Sequence, residues 1–308
     1  MRAIITGATG FIGRELVNEL LKNKIKVIVI VRQNGICPQA WNDNENVEVV
    51  SCDLCELYSF FQNYCAEKHA DIFYHLGWYG TSGTERADIT GQLENVKNTC
   101  DAVKTASFLG CTTFVNAGSI MEYEVVKLMT SEKSVPNMSN IYSTAKLTAD
   151  YMGRTLANHL GLNYINAVIS NIYGVGEKSA RFLNTTLRKM LQNEKILLTH
   201  GEQLYDFIYI TDAVKFIRII GTKGIGNENY YIGNNSQKPL KDYLMKMKKI
   251  LKSKSELVFG AIPFNVPTIT YKEFDACKIE NEFGIKPAVT FEDGILKIKE
   301  WILEQDNE

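Results

Sequence analysis

Three side chains in the middle third of the chain have the types and spacing to move a proton to or from a carbonyl or hydroxyl oxygen. Tyr142 and Lys146, in Tyr142-Ser143-Thr144-Ala145-Lys146, stand four residues apart, so on a helix they share one face about a turn apart. A lysine cation beside a phenol favours the phenolate and lowers its pKa, which suits the tyrosine to proton transfer near neutral pH. Ser119 follows the apolar, strand-like run Thr113 to Ala117 and offers a hydroxyl to hold a substrate oxygen against Tyr142. Taken singly, each has an ordinary reading as a solvated surface group. All three in this order point to chemistry.

Residues so far apart need a scaffold, and the chain opens with one. Met1 to Gly13 reads MRAIITGATGFIG, with Gly7, Gly10 and Gly13 at three-residue spacing. Arg2 to Ile5 suits a short buried strand, and Arg14 to Asn23 carries apolar residues at helical spacing. The glycines between them let the backbone turn tightly and approach a pyrophosphate at the positive end of the helix. Further strands are expected at Ile25 to Val31, Val47 to Cys52, Asp71 to Leu76, Thr113 to Ala117 and Asn163 to Ser170. Strands alternating with helices imply an α/β fold with a doubly wound parallel sheet. The rhythm breaks over Gly176 to His200 and again after Ile232.

The 308 residues can bury a sizeable core in one or two domains. A net charge of -1 gives no reason to expect nucleic acid or an acidic membrane surface as partner. No stretch is apolar enough to span a bilayer, and no signal-peptide pattern precedes the first strand, so a cytoplasmic protein is expected. Seven cysteines fit a reducing compartment. Cys52 and Cys55 form one C-x-x-C pair without a second pair or nearby histidine, so they read as packing residues and no metal site is expected.

On these residues the chain resembles the extended short-chain dehydrogenase/reductases, the NAD-dependent epimerase/dehydratase family, over essentially its whole length. TGATGFIG matches the cofactor turn. Ser119, four residues before Tyr123, matches the catalytic Ser/Thr, and Tyr142 and Lys146 match the Y-x-x-x-K pair. Asp53, His75-Leu76-Gly77, Asn95, Asn171-Ile172-Tyr173-Gly174 and Asp206 to Asp212 match further blocks. The resemblance implies a Rossmann domain over 1–168 with a return segment at 206–232. It implies a smaller substrate-binding lobe from 169–205 and 233–308, and a homodimer formed by helices near Gln92 to Leu109 and Tyr142 to His159. It places Gly7, Thr9, Gly10, Phe11, Ile12, Gly13, Asp53, Leu54, Leu76, Gly77, Trp78, Asn95, Ala117, Tyr142 and Lys146 at the cofactor. Trp78, Ser119, Met121, Asn171, Lys178, Arg181 and Tyr205 are expected at the substrate, a nucleotide sugar.

Val31 ends the second strand where a carboxylate would favour NAD, and Arg32 follows it. A guanidinium there can pair with a 2′-phosphate, so NADP is expected over NAD. That preference suits net reduction. Ile120 and Met121 stand where the family's 4,6-dehydratases carry an acidic pair, and two apolar side chains cannot eliminate water. THGEQLYD (Thr199 to Asp206) and LVFGAIPF (Leu257 to Phe264) resemble reductases of nucleotide-linked 4-keto-6-deoxyhexoses. The expected reaction is hydride reduction of a C4 keto group. Alternatives are a 4-epimerase with retained NAD, a reductase of a non-nucleotide carbonyl and a non-catalytic cofactor-sensing protein. Val168 and Tyr205 replace two of the family's arginines, and no arginine follows Arg218, so Lys178, Arg181, Arg188 and backbone amides must hold any diphosphate. Gly118 replaces a common serine and Glu124 the glycine after Tyr123.

Overall fold

A computed structural model describes residues 1–64, 69–131, 135–263, 269 and 273–305. Seven strands form one sheet: β1 (Arg2–Thr6), β2 (Lys26–Val31), β3 (Val47–Ser51), β4 (Ile72–His75), β5 (Thr113–Ser119), β6 (Asn163–Ile169) and β7 (Glu228–Ile232). Their order is β7-β6-β5-β4-β1-β2-β3, and every neighbouring pair is parallel. The order reverses between β1 and β4, so the turns leaving these two strands diverge and open a crevice at the carboxyl edge.

The longer helices are α1 (Phe11–Lys22), α2 (Leu57–Tyr64), α3 (Ile89–Phe108), α4 (Glu122–Thr130), α5 (Asn140–His159), α6 (Phe182–Leu191), α7 (Ile210–Lys223), α8 (Leu240–Leu251) and α9 (Phe291–Gln305), with short helical turns at Gln39–Asn42 and Lys278–Phe283. A strand's side chains alternate between faces. Ala3 and Ile5 of β1, with Val27 and Val29 of β2, meet Leu16, Val17 and Leu20 of α1 and Val214 and Ile217 of α7. Ile4, Ile28, Phe73 and Phe114 point the other way, to Leu57 and Phe61 of α2 and Ala102, Val103 and Ala106 of α3. Both faces are therefore sealed, as a parallel sheet requires.

Beyond β6 the chain builds three small strand pairs: Asn171–Tyr173 with Phe207–Tyr209, Leu204–Tyr205 with Lys238–Pro239, and Ile196–Leu197 with Leu257–Val258. Phe207, Tyr243 and Phe291 pack ring against ring, with centroids 4.9 Å apart for Phe207–Tyr243 and again for Tyr243–Phe291. Asp206 is fully buried and accepts hydrogen bonds from the Tyr231 hydroxyl at 2.7 Å and from the amides of Asn234 and Asn235 at 2.9 Å. That carboxylate joins the end of β7 to the strand at Phe207. Asp212 binds the amides of Ala288 and Val289, each at 2.8 Å, tying α7 to the C-terminal segment.

Expected strands end within a residue or two of the observed ones, and β5 runs on to include Ser119 itself. The Cys52–Cys55 expectation needs a correction. Cys52 is buried, its thiol on the Asp53 carbonyl, whereas Cys55 is exposed in the middle of the short 3-10 turn Leu54–Glu56. Phe264, the last residue of LVFGAIPF, lies outside the described residues.

Candidate active site

The glycine turn between β1 and α1 sits against the end of β4. Gly7 has φ +70°, and a Cβ there would stand 2.7 Å from the Gly77 amide nitrogen and the Leu76 carbonyl carbon. Gly13, one turn into α1, would drive a Cβ into the Gly7 carbonyl. Only glycines allow these two segments to approach so closely. Thr6 stitches the same region, accepting a bond from the Gly77 amide at 3.2 Å and pairing with His75 Nδ1 at 2.8 Å. Burial lowers His75 to about 3, so its ring is a neutral structural link. The amides at the start of α1 face this crevice with no acidic residue in the helix's first turn, so the cradle fits a dinucleotide diphosphate.

At the adenosine end the residues decide less. Arg32 is exposed just past β2, and the Asp53 carboxylate accepts the Gln33 amide at 3.3 Å. A cation and a carboxylate thus stand together there, and the expected preference for NADP gains no support from this geometry. Leu54 fills the space where a Cβ on Gly77 would stand, 2.8 Å from its Cδ1. Asn95 engages both ends of its amide with Tyr79, Oδ1 accepting at 2.9 Å and Nδ2 donating at 2.8 Å, so it anchors the loop after β4.

Ser119 ends β5, and Tyr142 and Lys146 project from the first two turns of α5; all three are under a tenth exposed. Lys146 Nζ donates to the Ala117 carbonyl at 2.8 Å and lies 3.6 Å from the centroid of the Trp78 ring. Trp78 is held in turn by Gln92 at 2.9 Å and meets Tyr142 edge-on at 6.2 Å. The sequence assigned the tuning of Tyr142 to Lys146, and here the structure differs. Burial raises the Tyr142 phenol, opposed first by Arg86, then by the Ser119 hydroxyl and then by Arg181. The Arg86 guanidinium carbon is 4.3 Å from the Tyr142 ring centroid, whereas Lys146 Nζ is 6.0 Å away. Lys146 is itself lowered by burial and supported by the carboxylate of Glu122.

Glu122, like Arg86, is a residue that sequence reasoning missed. It lies at the start of α4, 2 % exposed, and accepts the Ser119 amide at 2.7 Å and Asn166 Nδ2 at 3.1 Å; Asn166 accepts from Asn116 at 2.9 Å. Burial and the neighbouring Asp150 raise its pKa, while the Ser119 amide and Lys146 pull it down. It therefore fixes the backbone of Ser119 and balances the charge of Lys146. Its only sequence signal was an acidic residue three positions after Ser119, a spacing that closes a turn.

The Met121 amide donates to Ser119 Oγ at 3.2 Å, and the Ile120 amide binds Ile169 at 3.0 Å. Arg181 bears on both Tyr142 and Lys146. Tyr205 stacks on Phe207 at 5.5 Å and feels the charges of Glu124 and Arg86. Asn171 is tied to the Asp206 carbonyl at 3.3 Å, Lys178 is exposed, and Arg188 lies over Trp301 at 5.8 Å. Among the described residues no group of three His, Cys, Asp or Glu could hold a metal ion.

The model of the NAD dependent epimerase/dehydratase family matches residues 3–233. The chain belongs to that family. A family relative, the dTDP-glucose 4,6-dehydratase of Salmonella typhimurium, is 25 % identical across 98 % of this chain and 93 % of its own length. Among solved structures, the dTDP-glucose 4,6-dehydratase from Bacillus anthracis in complex with NAD covers 100 % of this chain at 19 % identity with a TM-score of 0.78. The UDP-glucuronic acid 4-epimerase from Bacillus cereus in complex with NAD covers 100 % at 20 % identity, also with a TM-score of 0.78. These epimerase/dehydratase structures hold NAD, which lends nothing to an NADP preference. Among the described residues no helix is long and apolar enough to cross a membrane.

Proposed function

We propose that this protein is an NAD(P)-dependent oxidoreductase that transfers hydride at C4 of a nucleotide sugar, in the reductive direction onto a 4-keto group. The observation that carries this reading is the meeting of the three residues: the Ser119 hydroxyl bears on the Tyr142 phenol, and Lys146 binds the Ala117 carbonyl and lies over Trp78, the residue after Gly77. A bound nicotinamide supplies or accepts the hydride. The chain's residues do the rest: Tyr142 delivers a proton to the carbonyl oxygen, Ser119 donates a hydrogen bond to that oxygen as charge develops, Arg86 stabilises the tyrosine as it loses its proton, and Lys146 holds the nicotinamide ribose. Burial helps here, because a phenol reluctant to ionise keeps its proton until the oxygen needs it. Ile120 and Met121 offer no acid or base for eliminating water, which speaks against dehydration despite the named relatives.

A 4-epimerase is the second reading, favoured by the fold shared with the UDP-glucuronic acid 4-epimerase; the same three residues would serve both directions. The outer faces of α3 and α5 expose Leu93 at 64 % and Met152 at 52 %, and we propose that these faces meet across a homodimer. The test mixes purified protein with a UDP- or dTDP-linked 4-keto-6-deoxyhexose and NADH or NADPH. Loss of the reduced nicotinamide's absorbance supports the reductase. Interconversion of C4 epimers without net oxidation moves the epimerase to first place, and neither reaction with any of these substrates sinks the reading.

A further inference from the structure

The buried ammonium of Lys146 lies on the face of an aromatic ring. Its Nζ is 3.6 Å from the Trp78 ring centroid, and the residue is 5 % exposed. A cation over an indole is attracted by the negative face of the ring, more strongly where water is excluded, and tryptophan is the best of the aromatic side chains for it. The ring itself is pinned. Its Nε1 donates to Gln92 Oε1 at 2.9 Å, and the buried Gln92 turns its Nε2 to the carbonyls of Tyr79 at 3.2 Å, Gly80 at 3.1 Å and Glu85 at 3.2 Å. That set of acceptors fixes which end of the amide meets the indole. Trp78 also follows Gly77, whose amide is bonded to Thr6 beside the glycine turn, so the ring is tied to the cradle on one side and to α3 on the other.

We propose that Trp78 is a positioning residue for Lys146: the indole face keeps the buried ammonium charged and leaves one of its N–H groups for the nicotinamide ribose. The inference rests on the reading of Lys146 given above and names the residue that holds it to that task. An ammonium has three N–H groups. One donates to the Ala117 carbonyl at 2.8 Å and the ring face meets a second, so the third remains for a ribose hydroxyl. The other groups around Lys146 pull both ways. Burial and Arg181, just before α6, oppose the cation, while Glu122 of α4 supports it. His75 of β4 is neutral, Tyr142 keeps its proton a turn earlier on α5, and Asp150 a turn later acts on Glu122. A carboxylate can take the ammonium's proton, whereas an indole face cannot. The ring therefore holds the charge without competing for the proton.

The test is calorimetric titration of the protein, stripped of bound nucleotide, with NADH and NADPH from neutral to alkaline pH, for wild type, Trp78→Phe and Trp78→Leu. Wild-type affinity is expected to fall as Lys146 loses its proton. Without an aromatic face the charged form is less favoured, so in Trp78→Leu the fall should begin about one pH unit lower. Trp78→Phe, whose ring is a weaker partner, should stand in between. A side chain that merely fills space would change affinity evenly across pH and leave the fall where it is. Melting temperature checks the folding of each variant, and Trp78→Phe carries the test if the leucine variant does not fold. A fall that stays at the wild-type pH in the variants, or that begins as low in Trp78→Phe as in Trp78→Leu, overturns this inference. Wild-type affinity that does not change with pH overturns it too, and each of these leaves hydride transfer to a sugar standing. Wild type that binds neither dinucleotide overturns both.

Discussion

Tyr142 holds its proton in a buried place, and its neighbours decide when it lets go. Tyr142→Phe is expected to lower kcat by roughly 10²-fold or more with cofactor affinity retained, read by steady-state kinetics beside a cofactor titration. Glu122 gives a prediction with a sign. Its carboxylate raises the pKa of Lys146 against burial, so Glu122→Gln should drop that pKa further. The alkaline limb of the pH–rate profile then moves to lower pH, and an unmoved limb would reduce Glu122 to a scaffold role. Glu124 predicts a stability trend. Its folded pKa of about 7 exceeds its ordinary value of 4.5, so its contribution is complete below the ordinary value and is lost as pH rises through about 7. Glu124→Gln should therefore melt higher than wild type at pH above 7 and converge with it in acid. Ser119, Tyr142 and Lys146 were legible because their spacing is local to one strand and one helix. Arg86 was not legible, because only the fold carries the loop after β4 onto the ring of a residue 56 positions later.

At the scale of elements, the turn from β1 to α1 is the most constrained piece. Gly7→Ala forces a side chain into a left-handed backbone and against the β4 turn. It should cost about 2 kcal/mol or more in stability and weaken cofactor binding, measured by denaturant melts and by calorimetry. Strands β1 to β6 were legible because each is built mainly of apolar residues bounded by turn signals. β7 escaped because Glu228 and Asn229 lead it and leave only Tyr230 to Ile232 as an apolar signal. The cofactor preference escaped for a different reason: Arg32 is local, but Asp53 arrives from the next strand to share its end of the crevice. A comparison of NADH with NADPH affinity on wild type and Arg32→Ala resolves it. An NADPH preference that vanishes in the variant would restore the expectation that the sequence raised.

Across the whole molecule, Asp206 does the joining that no local pattern could announce. Its partners come from residues 25 to 30 positions away, and a motif match alone says nothing of which donors a carboxylate will meet. Asp206→Asn puts an amide NH2 against donors and should destabilise the fold by about 2 kcal/mol or more, seen in urea titration. The small strand pairs and α6, α8 and α9 share one apolar cluster with the α1 face of the sheet, running without a break from Ala3 to Ile302. Chain regions that share a core have no plane along which to part. Heating is therefore expected to produce one calorimetric transition, with the region around Tyr243 and Phe291 and the Rossmann sheet losing structure together. Two separated transitions would mean that the shared core is too weak to couple them.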